Sequence, residues 1–255
     1  MAATDPFELL NPNGKANLLL LSDHASNAMP PRYKHLGLDA SAMETHIAYD
    51  IGAAGVTRQL AKLMEAPALL SRWSRLLIDL NRDPGDPTSI PEQSDGTPIP
   101  GNRNLPAAER QARIVRYFTP YHRAVDERLQ AFRKRTLVPC VVSIHSFTPQ
   151  LNGGDKRPWH AGVLWDKDPR LALPLLNTLR PQRDIEVGDN EPYSARAPKG
   201  YTMEQHAVKH GLPHAVVEIR QDLIGDEKGQ KSWAERLSRA LKPLVAKQYK
   251  MEKFS

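Results

Sequence analysis

Two histidines of this chain stand in the same setting. Val141, Val142 and Ile144 make a short β-branched run that ends in His145, with hydroxyls, an aromatic and Pro149 behind it. Residues 17–21 are a second compact apolar run, followed at once by Ser22, Asp23 and His24. Each reads as a buried strand that delivers an imidazole at its C-terminal end, and in open α/β sheets chemistry collects just beyond those ends. Two imidazoles and one carboxylate are the ligand set of a catalytic zinc site, which keeps a fourth position for water. Asp50 supplies the carboxylate, with Glu44 a little earlier as the alternative. Zinc bound there would lower the pKa of water toward ~7 and polarise a scissile carbonyl. A further carboxylate must take the water's proton and pass it to the leaving nitrogen. Glu218 fits that task, because HAVVEI sets it inside a Val-rich strand where a carboxylate is costly unless paired or working. Arg82 or Arg75 would fix an anionic substrate by its carboxylate.

The elements that must position these groups follow from periodicity and breakers. Helical spacing over residues 42–65 places Asp50 near the start of its regular part. Residues 67–70 and 76–80 read as two further strands, with Asn81 and Arg82 just past the second. Residues 83–106, rich in Pro, Gly, Asp and Asn, are too long for a plain connection and read as a functional loop. Residues 110–135 read as an amphipathic helix, with His122 on its surface and Arg123 able to face the site. A strand is expected over 161–165, a helix over 171–179 and a polar turn-rich loop over 188–193. Gly200-Tyr201-Thr202 leads into a helix over 203–210 that Gly211 closes. A strand over 214–219 and an amphipathic helix over 231–247 complete the chain, and residues 1–15 read as a loose lead-in.

With 255 residues, 40% hydrophobic and 25% charged, the chain fits a single domain over 1–255. Its one cysteine, Cys140, lies in an apolar run and reads as a buried side chain. No signal-like N-terminus and no membrane-length apolar run is evident, so the expectation is a cytoplasmic protein with no membrane partner. The net charge of +6 comes from scattered residues, which argues against nucleic acid. The sequence holds no HExxH, no G-x-S-x-G, no Walker A and no G-x-G-x-x-G, so serine-triad, nucleotide and nicotinamide chemistry lose support. Nothing indicates an oligomeric state.

The segments SDHASNAMP, HIAYDIGA, SRLLIDLNRDP, SIHSFTP, VGDNEPYS, GYT and HAVVEIRQD occur in one order between Ser22 and Asp222. In this the chain resembles the N-formylglutamate amidohydrolase family. The resemblance implies a three-layer αβα sandwich with a mixed central sheet, phosphorylase/hydrolase-like and related to zinc carboxypeptidases. It also implies one zinc ion per chain and hydrolysis of a formyl or acyl amide on an amino acid, a small anionic substrate. By the same resemblance His145 is the last zinc histidine, His24 the first, Asn81 and Arg82 the holders of the substrate α-carboxylate, and Glu218 the general base. Asn27 stands where H-x-x-E would have its Glu. Asp50 is preferred to Glu44 because its distance to the next helix is similar to that of the ligand glutamate in zinc-dependent muramoyl amidases. Arg75, Arg220 and Tyr201, in matched segments, are expected at the substrate, and Arg72 or Arg75 at a second carboxylate. The alternatives are a cell-wall muramoyl-amidase or peptidase on the same fold, and a non-catalytic protein that retains the pocket.

Overall fold

The computed structural model describes residues 5–197 and 199–254. Among the described residues nine strands form in chain order: β1 (Phe7–Leu10), β2 (Leu18–Ser22), β3 (Ala68–Ser71), β4 (Gln93–Ser94), β5 (Thr97–Pro98), β6 (Cys140–Phe147), β7 (Ala161–Leu164), β8 (Val187–Asp189) and β9 (His214–Arg220). Helices are α1 (Ala40–Met43), α2 (Ala53–Met64), α3 (Ala107–Arg113), α4 (Thr119–Lys134), α5 (Ala172–Leu179), α6 (Tyr201–His206) and α7 (Glu227–Val245). Seven strands make one sheet in the order β1-β3-β2-β6-β9-β7-β8, while β4 and β5 pair as a separate hairpin. The central strands β3, β2, β6 and β9 run parallel, and β1 and β7 join antiparallel, so the sheet is mixed.

Alternation along the strands assigns each side chain to one of two layers, because successive residues point to opposite faces. Leu18, Leu20, Val142, Ile144, Ala215 and Val217 pack with α2, α5 and α7. Leu19, Leu21, Val141 and Val216 pack with α4 and α6. Both faces are covered, which is why these strands read as continuous apolar runs. The result is the three-layer αβα sandwich.

Several elements differ from the sequence reading. Residues 7–10 are an edge strand rather than loose chain, paired to β3. Residues 76–80 form turns, not a strand, although Leu76, Leu77 and Ile78 are buried. The expected helix over 42–65 is divided: α1 ends at Met43, turns follow, and regular helix begins only at Ala53. Gly52 marks that break with φ 80°, and a Cβ there would overlap the Ile224 carbonyl. The helix expected over 110–135 starts earlier and contains a π-helical turn at Ile114–Phe118. Gly188 and Asp189, the first residues of the loop expected over 188–193, belong with Val187 to the edge strand β8.

Candidate active site

The parallel register of β6 and β9 sets His145 directly beside Glu218, both on the α4/α6 side of the sheet. Ser143, two residues earlier on the same face, lies 2.9 Å from His145 Nε2 through its hydroxyl. His24 follows β2, the neighbour of β6, and its ring meets that of His145 at 5.1 Å between centroids. Asp50 is brought in by the turns before α2: its N–H donates to the His24 carbonyl at 2.9 Å. Its Oδ2 lies 2.8 Å from His145 Nδ1 and 3.4 Å from His24 Nδ1.

One ligand atom from each of His24, Asp50 and His145 lies within 4.8 Å of the other two, and all three residues are buried. His24 Nε2–H donates to Asp79 Oδ1 at 2.7 Å, which leaves Nδ1 buried and, among the described residues, in no hydrogen bond. A buried ring nitrogen without a hydrogen-bond partner, facing a carboxylate and a second imidazole, is what a borderline cation such as zinc requires of its site, and the residues fit one. Glu44 is the exposed C-cap of α1 and does not belong to the group.

The charges around this cluster are strongly coupled. Burial and Arg75 work against a proton on His24, but the carboxylates of Asp79 and Asp50 outweigh them and raise its pKa to about 9. Burial also opposes ionisation of Asp50 and Asp79, yet His24 holds both well below the usual carboxylate range, with His145 helping at Asp50 and Arg75 at Asp79. Glu218 behaves oppositely. Burial pushes its carboxyl up to about 7 despite the charges on His145 and His24, and its Oε2 has no hydrogen-bond partner. A carboxyl poised near neutrality has the acidity proton transfer needs.

These groups open on a cavity of about 620 Å³. Arg75, Asn81 and Arg82 line it with the cluster. Arg75 donates to Asp79 Oδ2 at 2.8 Å and approaches Asp50 Oδ1 at 3.4 Å. Asn81 is fixed by its own backbone, its N–H donating to Asp79 Oδ1 at 2.8 Å, and its Oδ1 accepts from Thr202 N–H at 3.1 Å. Gly200 is required beside it, since a Cβ would stand 2.8 Å from that oxygen. At the mouth, the β4–β5 turn brings Asp95 to 3.0 Å from His46, so residues 83–106 do contribute to the site.

Two expected substrate residues lie elsewhere. The Arg220 guanidinium pairs with Asp222 and donates to the carbonyls of Arg157, Pro158 and Trp159, so its donors are spent on the loop before β7. The Tyr201 ring packs on Phe118 and His122, while its N–H donates to the Asn81 carbonyl, an indirect service to the site. Arg72 binds the Phe7 carbonyl, away from the cavity. Arg123 is exposed beside Glu127. His122, read as a surface residue, is buried between His206 and the Leu80 carbonyl. The sequence reading gave Asp79 no role, although a carboxylate between Ile78 and Leu80 carries the same signal that singled out Glu218. Tyr193, which lines the cavity and accepts from Arg157 at 3.0 Å, was also passed over.

A mixed sheet covered on both faces, with its buried ionisable groups gathered past the ends of parallel strands, places the chain among three-layer α/β proteins. Its family is narrower: the chain belongs to the N-formylglutamate amidohydrolase family, whose model matches residues 16–225. It is similar to gene product Atu2144 from Agrobacterium tumefaciens, with 35% identity, 96% of each chain covered and a TM-score of 0.91. The N-formylglutamate amidohydrolase from Ralstonia eutropha JMP134 shares the fold at 21% identity and a TM-score of 0.68, over 95% of this chain and 98% of that one. No match is found among curated proteins. Among the described residues no helix is long and apolar enough to cross a membrane.

Proposed function

We propose that this chain is a zinc-dependent amidohydrolase acting on the amide bond of an N-formyl or other short N-acyl amino acid, with N-formyl-L-glutamate as the reference substrate and the cytoplasm as its location. The observation that carries the reading is the buried Nδ1 of His24, without a hydrogen-bond partner, facing Asp50 and His145. His24, Asp50 and His145 would hold the ion, which when bound supplies Lewis acidity to a carbonyl and acidity to a water. Glu218 takes the proton of the attacking water on its carboxylate and returns it to the amide nitrogen as that nitrogen leaves, producing formate and a free amine. Arg75, held from behind by Asp79, presents its guanidinium where negative charge grows on the carbonyl oxygen. Asn81 and Arg82 hold the α-carboxylate, and Tyr201 and Thr202 support them through backbone N–H groups.

Metal analysis combined with formate release tests the assignment. Zinc-loaded protein should release formate, and removal by a chelator should abolish release until zinc is restored. Turnover that persists in metal-free protein would remove the reading. Glu218→Gln should lower kcat by roughly 10²–10⁴-fold while the bound zinc stays at one equivalent.

A further inference from the structure

Glu218 has a sheet neighbour on each side. It pairs with His145 of β6 on one and with Gly162 of β7 on the other. Residues directly opposite in an antiparallel pair share a face. Whatever occupies the place of a Gly162 side chain therefore stands on the Glu218 face, one strand spacing of about 4.8 Å away. The Glu191 carbonyl occupies it, with Pro192 Cδ 3.7 Å from the position of a Cβ. Gly188, the β8 partner of Gly162, lacks a side chain for the same reason, since a Cβ there would stand 2.5 Å from that of Glu191. Two paired glycines thus lay residues 191–192 onto the sheet, and Tyr193 follows them into the cavity lining, across Glu218 from the histidines.

The loop is tied down on both sides of Tyr193. Asn190 N–H donates to the Val163 carbonyl at 3.0 Å, and Asn190 Oδ1 accepts from the N–H groups of Trp165 and Ala195, each at 3.1 Å. Arg157 fixes the side chain. Its guanidinium carbon lies 4.8 Å from the centre of the Tyr193 ring, and its Nη1 donates to the Thr148 carbonyl at 3.2 Å and to Tyr193 Oη at 3.0 Å. Arg220 holds the carbonyls of residues 157–159, so the donors it spends there keep Arg157 in place.

Because Arg157 donates to Oη, the phenolic hydrogen must point elsewhere, and among the described residues no acceptor takes it. Burial and the Glu218 carboxylate raise the Tyr193 pKa against Arg157 and Arg75, so the hydrogen stays on its oxygen at neutral pH. The residue is 42% exposed, which leaves it open to an incoming ligand. The cavity charges that reach it belong to Glu218, which serves the attacking water, and to Arg75, which faces the carbonyl oxygen. Its free hydrogen is therefore at the reacting centre. A carbonyl oxygen that becomes anionic has lone pairs for a guanidinium and a hydroxyl together.

Resting on the amidohydrolase reading, we propose that Tyr193 is a further catalytic residue, whose hydroxyl, oriented by Arg157, joins Arg75 in donating a hydrogen bond to the substrate carbonyl oxygen as that oxygen gains charge. The hydrogen stays on Tyr193 throughout, so the protons moved by Glu218 are unaffected. A donor that engages charge only as it develops raises kcat rather than affinity. Tyr193→Phe keeps the ring and its stacking on Arg157. In zinc-loaded protein it should lower kcat for formate release from N-formyl-L-glutamate by roughly 10²-fold, with KM nearly unchanged. Calorimetric binding gives a second reading. N-phosphoryl-L-glutamate, tetrahedral and anionic where the formyl group is flat and neutral, should bind Tyr193→Phe about tenfold more weakly than wild type. Binding of N-formyl-L-glutamate to Glu218→Gln protein should not change when Tyr193→Phe is added. Arg157→Met should lower kcat as well, and its effect should be about tenfold smaller in the Tyr193→Phe background. An unchanged kcat in Tyr193→Phe, a loss confined to KM, or two effects that simply multiply overturns the inference. Wild-type turnover separates the two readings. Formate release by wild type and Tyr193→Phe at equal rates leaves the hydrolase standing and removes this role for Tyr193, whereas no release by zinc-loaded wild type removes both.

Discussion

His24 has one nitrogen committed to Asp79 and the other, without a hydrogen-bond partner, turned toward Asp50 and His145. Against burial and Arg75, the carboxylates of Asp79 and Asp50 raise its pKa to about 9, so an incoming ion displaces a proton at any pH below that value. Zinc affinity should therefore fall as pH drops, by about tenfold per unit for the His24 proton and more steeply where His145, whose pKa Asp50 also raises against burial, carries one. Competition with a chelating dye at pH 6, 7 and 8 reads that slope, and an affinity flat across the range would contradict it. Asp79→Ala removes the carboxylate that fixes the His24 ring and should weaken zinc by roughly 10–100-fold. At this scale much was legible. His24, Asp50, His145 and Glu218 all stand out as ionisable residues in or beside apolar runs, and the fold gathers them. Arg220 was not legible, because the sequence does not reveal that the carbonyls of residues 157–159 lie within reach of its guanidinium.

The elements succeed or fail as supports for those residues. On α4, His122 donates Nε2–H to the Leu80 carbonyl at 3.0 Å and meets His206 of α6 through Nδ1 at 2.9 Å, so two helices grip the segment that carries Asn81 and Arg82. Burial, with His206 beside it, lowers the His122 pKa to about 3, against 6.5 for an ordinary histidine. Between those values the unfolded chain holds a proton that the folded chain refuses. This contribution to stability is therefore whole above pH 6.5 and drains away as pH falls toward 3, by roughly 1.4 kcal/mol per unit. Urea denaturation at pH 7, 6, 5 and 4 should show a shallower acid loss in His122→Asn than in wild type, whatever the absolute stability of the variant. The helical period correctly signals α4 but cannot tell that its His122 face meets α6, which lies some eighty residues further on. The strands β2, β6 and β9 are legible from unbroken apolar runs. Residues 76–80 share that composition and still form turns, since nothing pairs with their backbone as a strand.

At the scale of the whole molecule, the site exists because β2, β6 and β9 are neighbours although 18–22, 140–147 and 214–220 are distant in sequence. That adjacency, the antiparallel insertion of β7 and the edge position of β1 could not be read from local pattern, because register and order depend on the packing of both helical layers. An ion that ties the ends of β2 and β6 to the turns before α2 should stabilise the fold as a unit. At a free zinc concentration a hundredfold above Kd the gain is about 2.7 kcal/mol, which for a chain of this size raises Tm by roughly 5–10 °C. Glu218→Gln should keep the rise and His145→Ala should lose most of it, as thermal scanning would read.

The most direct measurement is a zinc-edge anomalous difference map from crystals of the zinc-loaded protein. The expected result is one strong peak shared by His24 Nδ1, His145 Nδ1 and the Asp50 carboxylate, with Glu218 on its open side. A peak held by other residues, or three side chains turned to different regions of the molecule with no peak between them, would contradict the account.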